Sequence, residues 1–191
     1  MLGTVIVINL DRDVARLAHM RAELMRAGLN GERFAALRGD QLPAWIAPYF
    51  AGAPPLSLGE IGCYASHLEI MRCIAAGEIA GPVLVLEDDV ELARDFAAQI
   101  DEILRAAPKG WDLIRLSHAT KRVMQTVSRL SNGRRLVRYS RVPTSTGGYL
   151  ISVSGARKFL REQRRRLPVD QDLRRVWAWD LDTYGVEPPP I

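Results

Sequence analysis

The stretch Val83-Leu84-Val85-Leu86-Glu87-Asp88-Asp89 places four consecutive apolar residues directly before three consecutive acids. A short, uninterrupted apolar run after a Gly-Pro pair is typical of a strand that is buried on both faces of a parallel sheet. The three acids then lie at the carboxyl end of that strand, where open α/β sheets bind their ligands. This stretch therefore predicts an α/β fold with a ligand site at residues 87–89.

Strands and helices alternate on both sides of this stretch. Ser57 and Glu60 have the S-x-x-E spacing of a capping box, which predicts a helix from that point to about Ala76. Apolar periodicity and punctuation by glycine and proline predict strands over 4–8, 32–37 and 111–116, helices over 11–28 and 91–106, and a loop over 38–56. The alternation predicts an open sheet flanked by helices.

The remainder of the chain predicts a mixed sheet. Asn132-Gly133 is typical of a type I′ hairpin turn, because both turn residues need a positive φ. A strand over 147–152 and a basic amphipathic helix over 154–166 follow, and the proline-rich tail 187–191 is not helical. We therefore predict a single domain over 1–191, in which 1–117 holds the chemistry suggested by the strand ends and 118–191 is a basic half.

Composition excludes several classes of protein. The 191 residues are 48% hydrophobic and lack an apolar run of about 20 residues, which excludes a disordered chain and predicts no membrane-spanning helix. The N-terminus lacks the features of a signal peptide, and two cysteines are too few for a disulfide scaffold. The sequence therefore predicts a cytoplasmic protein.

Charge is distributed unevenly. Residues 121–175 hold 15 Lys and Arg against three acids, whereas the remainder holds 11 against 19. A basic third predicts an anionic partner such as phosphates, nucleic acid or an acidic membrane surface. The side chains of Arg161, Arg164, Arg165 and Arg166 either form the solvated face of the helix or contact lipid reversibly at the inner membrane face.

The acids at 87–89 are candidate metal ligands. Adjacent carboxylates repel one another unless a cation lies between them, and Mg²⁺ or Mn²⁺ prefers oxygen ligands. The competing interpretation is that Asp88 or Asp89 caps the next helix. Two further groups of residues follow strands, at 9–12 and at Ser117-His118.

Other candidate residues have two interpretations each. Glu60 either completes the capping box or acts on a ligand, and His67 is either a ligand-binding group or a satisfied helix histidine. Asp170 follows Pro168-Val169 and is either a general base or a helix N-cap. Cys63 is interpreted as a small core residue rather than a nucleophile, and the glycines around it as a place where backbone approaches a ligand.

Several of these segments, in order along the chain, resemble one family. They are Val5-Ile6-Val7-Ile8-Asn9-Leu10-Asp11-Arg12, Leu58-Gly59-Glu60-Ile61-Gly62-Cys63 with Ser66-His67, Val85-Leu86-Glu87-Asp88-Asp89, Trp111-Asp112-Leu113-Ile114-Arg115-Leu116, Gly148-Tyr149-Leu150-Ile151-Ser152 and Pro168-Val169-Asp170. Together they are similar to glycosyltransferase family 25, the lipooligosaccharide galactosyltransferase-like enzymes related to collagen galactosyltransferases.

The resemblance implies a GT-A-like, Rossmann-like fold and an inverting, metal-dependent transfer of a sugar, galactose from UDP-galactose, to a lipooligosaccharide or another cell-surface glycan. It implies that 1–117 is the nucleotide-sugar and metal half and 118–191 the acceptor-side half, and that Glu87 and Asp89 hold Mn²⁺ or Mg²⁺. It implies that the nucleotide-sugar contacts Asn9, Leu10, Arg12, His67, Glu87 and Asp88. Asp170 is the implied catalytic base, with Glu60 as the second choice.

Three other functions compete with this one. The short, Arg-rich segment 118–145 departs from the family and leaves open an inactive relative that acts as a binding module. The acidic stretch also resembles the Mg²⁺ pocket of a signalling receiver domain, although Ser117 occupies the position of the phosphoacceptor. A nucleic-acid-binding module rests only on the basic third, without an aromatic stacking motif or zinc finger, so we expect no nucleic-acid partner.

Overall fold

A computed structural model describes residues 1–52, 55–122, 124–161 and 164–191 of the chain. Its strands are β1 Thr4–Asn9, β2 Glu32–Ala35, β3 Val83–Glu87, β4 Leu113–Arg115, β5 Met124–Arg129, β6 Arg135–Tyr139, β7 Gly148–Ile151 and β8 Thr183–Glu187. Its helices are α1 Val14–Arg26, α2 Leu58–Ala76, α3 Phe96–Ala106, α4 Val153–Phe159, α5 Val169–Arg174 and α6 Val176–Trp179, with a 3₁₀ helix over Ala47–Phe50.

The strands form one mixed sheet in the order β2-β1-β3-β7-β4-β8-β6-β5. The pairs β1–β2, β1–β3 and β4–β8 are parallel, whereas β7 runs antiparallel to both β3 and β4. The predicted mixed α/β sheet flanked by helices is therefore confirmed. Because β7 is inverted, its beginning meets the carboxyl ends of β3 and β4 at one edge of the sheet.

Helices cover both faces of the sheet, as the apolar runs predict. Val83 and Val85 of β3 pack with α2 and α4 on one face, whereas Leu84 and Leu86 pack with α1 and α3 on the other. All four side chains are fully buried. Period-2 alternation with apolar residues on both faces is the pattern of a central strand.

The predicted hairpin is confirmed. Asn132 and Gly133 have φ values of 55° and 74°, and the Arg134 amide donates to the Ser131 carbonyl, which closes the turn between β5 and β6. Strand β8 was not predicted. Its sequence contains Gly185, whose missing side chain leaves room for the ring of Tyr139.

The predicted basic helix over 154–166 is wrong in its extent. Helix α4 ends at Phe159, and positions 162–163 of the prediction lie outside the described residues. Arg165 is buried, and its guanidinium lies 3.9 Å from the ring centroid of Trp179 and 4.8 Å from that of Phe159. Arg165 therefore belongs to the core and cannot contact lipid, whereas Arg161, Arg164 and Arg166 are exposed.

The predicted helix over 91–106 begins later, at Phe96. Within the described residues, no helix is both long and apolar enough to cross a bilayer.

Candidate functional site

A cleft of about 590 Å³ opens at the carboxyl edge of the sheet. The ends of β1 and β3, the loop that follows β2 and the first turns of α1 and α2 form its walls. Seven of the predicted site residues line it: Asn9, Leu10, Arg12, His67, Glu87, Asp88 and Asp89. The fold thus brings three separate sequence segments to one concave surface.

Asp88 is held in place by two neighbours. The Asn9 side-chain amide donates to Asp88 Oδ2 at 2.7 Å, and Arg16 Nη1 donates to Asp88 Oδ1 at 3.2 Å. The same Asn9 amide donates to the Asp13 carbonyl, while its oxygen accepts from Arg33 Nε. Because both polar groups of buried Asn9 are used within the protein, this residue positions Asp88 at the cleft wall.

Asp89 has the most solvent-exposed side chain of the three acids. Its side chain is 53% exposed, and Arg16 Nη1 lies 3.4 Å from its Oδ2. The sequence interpretation in which Asp88 or Asp89 caps the next helix is wrong, because α3 begins at Phe96 with Asp95 at the N-cap position. Both carboxylates instead face the cleft.

Glu87 is the innermost acid. Its Oε1 accepts a hydrogen bond from the Thr146 hydroxyl and lies 3.8 Å from His67 Nε2. Burial opposes the ionisation of Glu87, but His67, Thr146 and Arg115 outweigh it and hold the pKa of Glu87 below its ordinary value. Glu87 is therefore a carboxylate at neutral pH.

The start of α2 is built from the predicted capping box. The Ser57 hydroxyl accepts from the Glu60 amide, and the Glu60 carboxylate accepts from the Ser57 amide at 2.8 Å. The capping interpretation of Glu60 is confirmed, and the carboxylate would have to leave the cap to act as a base. Its catalytic role stays a prediction.

Gly62 allows a close backbone contact, but with the protein itself. A Cβ at this position would lie 2.6 Å from the Leu37 carbonyl oxygen and 2.9 Å from the Gly39 nitrogen. Nearby, the Ser66 hydroxyl accepts from the Leu37 amide and donates to the Gly62 carbonyl. These contacts fix the loop after β2 against α2, and both segments line the cleft.

His67 and Cys63 lie one turn apart on α2. His67 is fully buried, and its Nδ1 is 2.7 Å from the Tyr149 hydroxyl, while its Nε2 has no hydrogen-bond partner among the described residues. Cys63 is exposed to the cleft, so its interpretation as a core residue is wrong. Ligand atoms of Cys63, His67 and Glu87 all lie within 4.8 Å of one another.

The donor atoms at the end of β3 fit Mg²⁺ or Mn²⁺. Such ions are held by one or two carboxylates, and substrate phosphates and water complete their coordination. Glu87 and Asp89 offer carboxylate oxygens at the same cleft, and Asp89 is open to it. Cys63 adds a sulfur donor beside Glu87, and hard cations do not favour thiolate.

Asp170 lies outside the cleft, in the first turn of α5. The N-cap position is occupied by Pro168 and no side chain caps the helix, so the interpretation of Asp170 as an N-cap is wrong. Its carboxylate is close enough to the guanidinium of Arg115 to raise the pKa of that group.

Arg115 is a site residue that the sequence did not single out. It is fully buried, and Nε, Nη1 and Nη2 have no hydrogen-bond partner among the described residues. Burial lowers the pKa of Arg115 to about 10, against the opposing effects of Tyr139, Asp170, Tyr149 and Glu87. This buried cation therefore lies within electrostatic range of both Glu87 and Asp170.

The receiver-domain interpretation is wrong. Receiver domains have a parallel doubly wound sheet, whereas antiparallel β7 separates β3 from β4 here.

Comparison with known proteins agrees with the resemblance seen in the sequence. The profile of the family described as Glycosyltransferase family 25 (LPS biosynthesis protein) matches residues 3–173. A Glycosyltransferase 25 family member from Anopheles gambiae is 32% identical over 190 residues, which covers 90% of this chain and 31% of the mosquito protein.

Two human proteins are similar to the same degree. Inactive glycosyltransferase 25 family member 3 is 32% identical over 215 residues, covering 96% of this chain and 35% of the human protein. Procollagen galactosyltransferase 2 is 32% identical over 152 residues, covering 76% of this chain and 23% of its own length. The chain thus spans about a third of the length of the curated relatives it matches.

Proposed function

We propose a function for this chain from one premise: it belongs to glycosyltransferase family 25. The proposal is that it transfers a sugar from a nucleotide-sugar donor to a glycan or glycolipid acceptor, with inversion at the anomeric carbon. UDP-galactose is the proposed donor, since one similar protein is named as a galactosyltransferase. A lipooligosaccharide or another cell-surface glycan is the proposed acceptor, which accords with the description of the family as LPS biosynthesis proteins.

The observation that carries the proposal is that the three acids at the end of β3 have different surroundings. Asp88 is clamped by Asn9 and Arg16, Glu87 is oriented by Thr146, and Asp89 is left open to the cleft. Acids that served only to stabilise the fold would all be held within the protein, whereas Asp89 is left exposed in the cleft. The arrangement supports a cleft that receives a cation together with an anionic ligand.

Asp89 and Glu87 would hold Mn²⁺ or Mg²⁺, which would neutralise the charge that develops on the departing nucleoside diphosphate. The Thr146 hydroxyl orients Glu87 through a hydrogen bond, and Arg16 pairs with both Asp88 and Asp89. Leu10 and Arg12 line the cleft beside Asn9 and would border the nucleotide. His67, buried behind Glu87, fixes the inner wall.

Asp170 is the proposed general base. Inversion by a single displacement requires one carboxylate to accept the proton of the attacking acceptor hydroxyl. Asp170 is partly exposed, and its carboxylate has no hydrogen-bond partner within the described residues, so its oxygens could accept that proton. Arg115 lies within electrostatic range of both Asp170 and Glu87.

The cytoplasm is the proposed location. Cys63 and Cys73 are both free thiols, and Cys63 is exposed, which suits a reducing compartment. Reversible contact with an anionic membrane would have to use Arg161, Arg164 and Arg166, without Arg165.

A release assay tests the proposal. Purified protein is incubated with UDP-galactose and Mn²⁺, with and without a mixture of glycan acceptors, and free UDP is measured. We expect metal-dependent UDP release that excess EDTA abolishes and that Asp89→Asn reduces to background. UDP release that persists in EDTA would contradict the proposed chemistry.

A binding module without catalysis is the second candidate, because one of the relatives at 32% identity is named as inactive. In that case UDP-galactose would bind with Mn²⁺ while no UDP was released with any acceptor. The two candidates are therefore distinguished by comparing binding with release on the same preparation.

A further inference from the structure

A second pocket lies beyond the end of β4 and is distinct from the cleft. Its volume is about 370 Å³, which is enough for a substituted sugar residue. We call it the basic pocket, because His118, Lys121, Arg122, Arg141 and Arg174 line it and none of the described residues in its lining is acidic. Its other walls come from short polar and apolar residues such as Thr120 and Thr144.

The four cations of the basic pocket lack partners. Within the described residues, none of Lys121, Arg122, Arg141 and Arg174 forms an ion pair. Some basic residues nearby in sequence are paired with acids: Arg138 with Asp182, Lys158 with Asp112 and Arg175 with Asp172. The pocket therefore gathers four cations without an acid in its lining to offset their charge, and an anion bound there would relieve the repulsion among them.

The basic pocket adjoins the residues proposed for catalysis. Arg174 is four residues after Asp170 on α5, so the two side chains lie on the same face of that helix. Thr144 of the pocket wall is two residues before Thr146, which donates to Glu87. The pocket is thus next to the proposed base and separate from the cleft that holds Asn9 and Asp89.

We propose that the basic pocket binds an anionic substituent, a phosphate or a carboxylate, carried by the acceptor glycan. The inference rests on the proposed transferase function and adds the class of acceptor to it. Guanidinium groups bind both anions through paired, charge-assisted hydrogen bonds, and three arginines here can do so together. A neutral glycan would leave their charges unsatisfied.

Matched oligosaccharide pairs test the proposal. Binding of 3′-sialyllactose is compared with that of lactose, and binding of mannose 6-phosphate with that of mannose, by saturation-transfer NMR and calorimetry in the presence of Mn²⁺ and UDP. We expect the charged member of at least one pair to bind about tenfold more tightly or better, and the advantage to shrink as salt is raised. The two pairs distinguish a carboxylate from a phosphate.

Two double variants with the same change in charge provide the control. Arg141→Gln with Arg174→Gln should remove the advantage of the charged sugar, whereas Arg129→Gln with Arg157→Gln, at positions outside the pocket, should retain it. Equal binding of charged and neutral sugars by the wild type, or an advantage that survives in the pocket variant, would overturn the proposal.

Donor binding separates this proposal from the proposed function. UDP-galactose should bind equally to the wild type and to the pocket variant, and loss of that binding in the pocket variant would reassign the pocket to the donor phosphates. If the wild type does not bind UDP-galactose, the proposed transferase function is contradicted. The sugar-binding comparison still tests the acceptor proposal, because it does not depend on the donor. Sedimentation with phosphatidylglycerol vesicles that depends on the pocket, without a preference among sugars, would overturn the acceptor assignment in favour of a membrane surface.

Discussion

Acids that are close in sequence have different surroundings in this chain, and the difference indicates which of them is free for chemistry. Asp170 and Asp172 share one turn of α5. Asp172 is 2% exposed, and its carboxylate accepts from the Tyr64 hydroxyl at 3.0 Å and pairs with Arg175. Asp170 is partly exposed and has no such partners among the described residues.

We predict opposite phenotypes for the two acids. Asp170→Asn should lower turnover by about 10²–10⁴-fold, the usual contribution of a general base, while melting temperature and donor affinity stay near those of the wild type. Asp172→Asn should instead lower stability by about 1–3 kcal/mol, because it disturbs a buried hydrogen-bonded carboxylate. Turnover, donor titration and thermal melting on both variants check this, and an Asp170→Asn protein with normal turnover would remove Asp170 as the base.

Among the site residues, those at the ends of strands could be predicted from the sequence. Asn9, Glu87, Asp88 and Asp89 follow apolar strands, and parallel strands bring their carboxyl ends to one edge. Arg115 could not be recognised in this way, because an arginine within an apolar strand gives no sign of which distant acids will approach it. The pair Cys63 and His67 could have been found, since residues four apart on a predicted helix lie on the same face.

Among the elements, α2 and the loop after β2 act as one unit. Gly62 allows the backbones of the two segments to touch, and Ser66 adds a hydrogen bond to Leu37. Both segments line the cleft, so their contact sets the shape of one wall.

Gly62→Ala should therefore destabilise the protein by about 1–3 kcal/mol, because the new Cβ would overlap the Leu37 carbonyl at 2.6 Å. It should also weaken donor binding by displacing the loop. Gly59→Ala is the matched control three residues earlier, where the nearest atom to an added Cβ is 3.9 Å away and no loss of stability is expected. Urea denaturation of both variants decides the point, and equal stabilities would show that the contact is not tight.

Element type was predictable where a local pattern alone determined it. The capping box fixed the start of α2, and Asn132-Gly133 fixed the hairpin between β5 and β6. The end of α4 was missed because the basic residues after Phe159 have good helix propensity, yet the backbone amide of Arg165 donates to the Tyr49 carbonyl at 2.7 Å. A tertiary contact thus overrides a local preference.

For the whole molecule, Arg165 joins segments that are distant in sequence. Its guanidinium lies over the rings of Tyr49, Tyr64, Phe159 and Trp179, which belong to the 3₁₀ helix, α2, α4 and α6. Its Nη2 also donates to the Phe159 carbonyl at 2.6 Å. One of the cations that the sequence analysis assigned to a basic surface, Arg165, is therefore buried in the core.

We predict that Arg165→Ala lowers the free energy of unfolding by about 2–4 kcal/mol, through loss of desolvated cation–π contacts and a buried hydrogen bond. Arg166→Ala, at the exposed neighbouring position, should change it by no more than about 0.5 kcal/mol. Guanidinium chloride titrations of both variants give the comparison. Equal effects would place Arg165 outside the core.

The central claim concerns the whole cleft: that it binds a nucleotide-sugar through a divalent cation held by Asp89 and Glu87. Calorimetric titration of UDP-galactose into the wild type and Asp89→Asn, each in Mn²⁺ and in EDTA, tests it most directly. The account predicts binding to the wild type in Mn²⁺ alone, and a loss of at least about tenfold in Asp89→Asn, whose melting temperature without ligand stays unchanged because Asp89 is exposed. Equal affinity in EDTA, or undiminished binding by Asp89→Asn, would contradict it.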